Sequence, residues 1–188
     1  MTSDLPAVLA SWSSFFAAAA GASAVLLGLV FIGLTIHLEG HQERPALVPM
    51  AVGSATTLFY PVIISLVLLM PPEQPWLPTG TLLVIAFFAA LSAGAPIIQS
   101  DLRGLWIHER KPSDWVRYLV PAIAALGLIG AAAWLVADPA DAIYAIALVI
   151  VVYLVVGTQN AWNLLLAGRF EVGAWSVTRA RDDAKDGS

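Results

Sequence analysis

Residues Ala142 to Phe170 read AIYAIALVIVVYLVVGTQNAWNLLLAGRF, and the reading of this stretch decides the fold. From Ala142 to Val156 it holds only aliphatic residues and two tyrosines. A run of this length is too long for a buried strand, and at about 1.5 Å per residue the stretch is long enough to cross the roughly 30 Å of hydrocarbon in a bilayer. It is therefore read as a membrane-spanning helix over 142–167. Its end carries a polar knot, with Thr158, Gln159, Asn160 and Asn163 inside six positions. At about 100° per residue the three amides fall in one sector roughly 100° wide, and Thr158 points nearly the other way. Amides at membrane depth need partners that hydrocarbon cannot supply, so the knot predicts polar residues facing it from other spans.

Working outward, the whole chain has the composition such a span requires. Apolar residues make up 59% of 188, charged residues 12%, and the mean hydropathy is +0.81, outside the range of soluble domains. The chain is read as all-α, a polytopic bundle of five transmembrane helices over 15–38, 47–70, 79–99, 115–137 and 142–167. No separate soluble domain fits between them, so residues 1–170 form one transmembrane domain and 171–188 a flexible cytoplasmic tail. The start MTSDLPAVLASWSS has no basic residue before the apolar run and carries Asp4, so the first span is expected to stay in the mature protein.

Orientation follows from the basic residues. Arg44 lies in the first loop, Arg103, Arg110, Lys111 and Arg117 in or beside the third, and Arg169, Arg179, Arg181 and Lys185 after the fifth span. All fall on one side, which the positive-inside rule assigns to the cytoplasm, giving N-out and C-in. Trp12, Phe15, Phe16, Trp76 and Trp134 then mark the outer interface. The segment 101–114, DLRGLWIHERKPSD, suits a short cytoplasmic helix in the headgroups. The net charge of −4 lies outside the spans and carries no signal for nucleic acid.

Each span has a polar or small face. The first carries Ala20, Ala24 and Gly28, spaced for close helix contact within the monomer or between subunits, as do Ala86, Ala90 and Gly94 in the third and Gly127 and Ala131 in the fourth. In the second, Ser54, Thr57, Pro61 and Ser65 share a face. Pro61 frees the Thr57 carbonyl, predicting a kink that a hydroxyl, a neighbouring helix or water must compensate. Pro96 is expected to bend the third span near Gln99. Under N-out orientation Thr35, His37, Ser54, Thr57, Gln99, Gln159, Asn160 and Asn163 gather in the cytoplasmic halves of their spans. This cluster is either interhelical glue or a hydrated vestibule for a neutral or weakly charged solute.

Other chemistry finds little support. With no cysteine, thiolate sites are excluded, and no Asp, Glu, Lys or Arg sits deep in a span, against a proton pump or voltage sensor. The alternating His37, Glu39, His41 and Glu43 lie in a loop interrupted by Gly40 and bounded by Pro45, a solvated turn more than a metal site. No nucleophile–base pair, metal cage or phosphate loop has the needed spacing, so no enzyme and no cofactor are expected.

Three stretches, FFAAAAGASAVLLGLVFIGLTIHL, SLVLLMPP and NAWNLL, resemble a group of small bacterial integral membrane proteins of uncharacterised function. That resemblance implies a five-span protein of the bacterial cytoplasmic membrane and brings no catalytic residue. The expected function is a non-catalytic interaction or regulatory role, as an oligomer or with a protein partner at the cytoplasmic face. The alternative is a channel or transporter using the vestibule. Lipid is the partner implied throughout.

Overall fold

The computed structural model describes residues 4–36, 47–71, 74, 76–102 and 112–186. They form five helices, α1 (Leu5–Ile36), α2 (Leu47–Leu69), α3 (Trp76–Leu102), α4 (Pro112–Trp134) and α5 (Pro139–Asp186), with no strand among the described residues. Each expected span falls on one of them. Over Leu5–Gly33, Val52–Leu69, Trp76–Ala93 and Pro139–Asn163 the chain is helical, long and apolar enough to cross a membrane, and α4 adds a shorter apolar stretch, Leu119–Trp134. The side chains turned outward are what a membrane protein needs: Phe31 is 71% exposed, and Val25, Phe87, Phe88, Leu126 and Leu148 are also exposed. Patches of this kind on a water-soluble monomer would drive association.

The helix ends differ from the apolar runs for local reasons. α1 begins ten residues before the expected span, because Pro6 fits the first turn and the serines that dilute the apolar signal are satisfied on their own helix. Ser11 and Ser13 donate to the carbonyls of Val8 and Ala10 at 2.7 and 2.8 Å. Leu5 and Leu9 are buried, so this extension belongs to the core. α5 begins at Pro139, earlier than expected, since Asp138 caps it: its Oδ1 accepts from the Ala140 and Asp141 amides at 3.0 and 3.4 Å. A capping carboxylate followed by proline is a strong helix start. At its other end α5 passes the expected stop at 167, and the segment read as a tail, 171–188, is helical as far as Asp186. The middle of the interfacial segment 101–114 lies outside the described residues.

The helices follow one another around a ring, each beside the next, with α5 closing on α1 and also packing directly on α2 across the middle. Short connections make neighbours antiparallel. The end of α2, the start of α3 and the turn at 135–138 share an end with the starts of α1 and α5, as the edge-to-face contact between Trp12 and Tyr144 at 4.8 Å requires.

That short-loop end holds the main core. Phe16, Ile64, Leu68, Leu82, Leu128, Leu135, Ile143, Ile146, Ile150 and Tyr153 are buried there, drawn from all five helices. Small residues let the backbones approach: Ala86, Ala131 and Ala132 are buried, and a Cβ added at Gly127 would touch Val149 at 3.5 Å. The smaller cluster toward the opposite end joins Val30, Leu58 and Ala161.

Candidate functional site

The α2 face predicted from its spacing is buried as a unit. Ser54 and Ser65 have no exposure, Thr57 has 8%, and Pro61 is fully buried between them. α2 remains a continuous helix through Pro61, and α3 likewise through Pro96. The expected compensation does not come from the nearby hydroxyls. Thr57 Oγ1 donates to the Gly53 carbonyl at 2.8 Å, and Ser65 Oγ is buried without a hydrogen-bond partner. Thr79 Oγ1, near the start of α3, is in the same condition.

The knot on α5 divides. Asn160 is buried with 8% exposure, whereas Thr158, Gln159 and Asn163 are exposed. Helix geometry explains the split. Ile146, Ile150, Tyr153, Gly157 and Ala161 define the buried face. Asn160 lies about 60° from its centre, Asn163 about 120° and Gln159 about 160°. The amides share a sector, as the sequence predicts, but that sector straddles the boundary between bundle and surroundings. Asn160 is buried as expected of all three, and the expectation is corrected for Gln159 and Asn163, which are exposed.

Asn160 sits beside the closest approach made at any described glycine. A Cβ built on Gly157 would lie 2.5 Å from Leu58 Cδ2 and 2.7 Å from its Cγ, so glycine is what lets α5 lie on α2. The antiparallel register of that contact puts Asn160 level with Ser54. Thr35, on α1, is exposed and donates to the Phe31 carbonyl at 2.6 Å, so it joins no cluster. Gln99 lies within α3, with its side chain outside the described residues, as is the whole of His37 and the 37–46 loop.

Two polar ties went unread in the sequence. The Tyr60 and Ser92 hydroxyls are 2.8 Å apart between α2 and α3, and Tyr153 donates to the Pro121 carbonyl at 3.3 Å between α5 and α4. In an apolar chain each tyrosine is an isolated polar tip, and that was the available signal. Every buried polar residue described is neutral: Ser23, Ser54, Thr57, Ser65, Thr79 and Asn160. Ser23 spends its hydroxyl on the Ala19 carbonyl at 2.8 Å. Such groups donate and accept hydrogen bonds and bring no acid–base pair.

On the exposed side of the knot, Leu154, Val155, Thr158, Gln159, Trp162 and Asn163 line a groove of about 680 Å³. Thr158 donates to the Leu154 carbonyl at 2.7 Å.

No protein-family model, curated protein or solved structure matches this chain.

Proposed function

We propose that the protein is a non-catalytic integral membrane protein of the bacterial cytoplasmic membrane, with an interaction or regulatory role and an oligomeric state. Five spans with N-out and C-in orientation are part of this reading; the single-sided placement of all nine Lys and Arg residues supports it. The observation that carries the choice against a solute pathway is the direct seating of Gly157 on Leu58, with Asn160, Thr57 and Ser54 at neighbouring levels. A pathway between α2 and α5 needs open space where backbone and side chain meet. Ala24 and Gly28 face outward on α1, with open space around Gly28, which supports contact with another helix of the membrane. Partners would meet the cytoplasmic segments 101–114 and 171–188.

Stopped-flow light scattering on proteoliposomes tests the choice. After a hyperosmotic jump in glycerol or another small neutral solute, the re-swelling that follows solute entry is expected to match that of protein-free vesicles; a faster, protein-dependent re-swelling would establish the alternative, a channel or transporter entered through the polar cluster. The orientation has its own test, since the chain has no native cysteine. Ser3→Cys should react with an impermeant maleimide in intact cells and Ser188→Cys only after lysis. The opposite pattern would overturn N-out and C-in.

A further inference from the structure

We infer that the groove on the exposed face of α5 is a binding site for a single bilayer glycerophospholipid, held at its glycerol-ester level. This rests on the reading that α5 crosses the membrane. The groove lies over the last three turns of the apolar stretch Pro139–Asn163, where a span leaves hydrocarbon for the interface. Trp162, 63% exposed, stands there as interfacial tryptophans do.

The lining selects the occupant. Leu154 and Val155 form an apolar wall, and Gln159 and Asn163 present two primary amides one turn apart on the same exposed side. Each amide donates two hydrogen bonds and accepts at its oxygen. Left facing acyl chains, those donors would lack acceptors in a medium that offers none. A free small polar solute would satisfy the amides and leave the apolar wall unmatched. A free fatty chain would do the reverse. A glycerophospholipid brings both parts in the right order, with ester carbonyls and phosphodiester oxygens for the amides and an alkyl chain for Leu154 and Val155. Both amides are neutral, so what they recognise is the hydrogen-bonding oxygens at the ester level.

The cysteine-free chain makes the test direct. Val155→Cys lies in the groove, and Leu148→Cys lies two turns away on nearly the same face, exposed but outside it. Each is labelled with bimane in detergent micelles and titrated with phosphatidylcholine brominated on its acyl chains. Expected is saturable quenching at position 155, half-complete at about fivefold lower lipid fraction than at 148. The Gln159→Leu/Asn163→Leu double variant, with helicity checked by circular dichroism, should bring the two titrations together. Identical titrations at both positions in the unmodified background would reduce the groove to ordinary annular lipid and overturn the inference. Quenching at 155 that is unchanged by the double variant would also overturn it. Lipid-independent disulfide formation between Val155→Cys copies would assign the groove to a second copy of the chain instead. In vesicles of the same lipid, absence of quenching at both positions would remove the transmembrane placement of α5 itself, a failure separate from that of the groove.

Discussion

The two ends of the bundle are held together differently. At the short-loop end, five helices contribute large apolar side chains and aromatic contacts among Trp12, Phe15, Phe16 and Tyr144. Toward the other end the described residues bury a smaller apolar cluster, Val30, Leu58 and Ala161, and at neighbouring levels Ser54, Thr57 and Asn160 are also buried. In lipid, apolar burial gains little by itself, because acyl chains solvate leucine as well as protein does; close packing and hydrogen bonds supply the specificity. Among the described residues, one end is fitted by large interlocking side chains, and toward the other α5 lies on α2 at Gly157 and Leu58 with polar neighbours.

The largest expected effect lies in the packed end. Phe16→Ala removes a fully buried ring that touches Trp12 and Phe15, and should destabilise the detergent-solubilised protein by about 3 kcal/mol, read by unfolding in a mixed-micelle titration. A change near zero would mean that this end is not the stable one.

Gly157→Ala probes the opposite end. Its new methyl would overlap Leu58, with an expected cost of about 2 kcal/mol, and Leu58→Ala in the same chain should recover part of that loss. Additive losses would break the picture of α5 seated on α2 through glycine.

The smallest effect has the opposite sign. Ser65 buries a hydroxyl without a partner at the apolar end, so Ser65→Ala should raise stability by about 1 kcal/mol in the same titration. A loss would point to a bonding partner for Ser65 in the bilayer-embedded protein and make the two ends more alike.

How far the sequence could be read depends on what each helix face contains. The spans were legible because an uninterrupted apolar run has few other uses. The α2 face was legible because Ser54, Thr57, Pro61 and Ser65 stand out at helical spacing against aliphatic neighbours. α5 gave less. Its buried and exposed faces are both aliphatic, so nothing told Ile150, fully buried, from Leu148, exposed; the rotation that separates Asn160 from Gln159 and Asn163 is set by the partners of the helix. The early start of α1 was hidden by serines whose hydroxyls turn back on their own carbonyls, and the tie between Tyr60 and Ser92 depends on the register of two helices.

α5 also outruns its neighbours. The register that sets Gly157 beside Leu58 brings the first residue of α2 level with about residue 168, so the last 18 or so residues of α5 continue about 27 Å past that helix. Turning about the Gly157 contact, a helix converts angle into distance: Asp186 lies about 44 Å beyond it, so a tilt of about 10° carries that residue roughly 8 Å sideways. The glycine contact near its pivot is thus a small hinge pin at the short arm of a long lever.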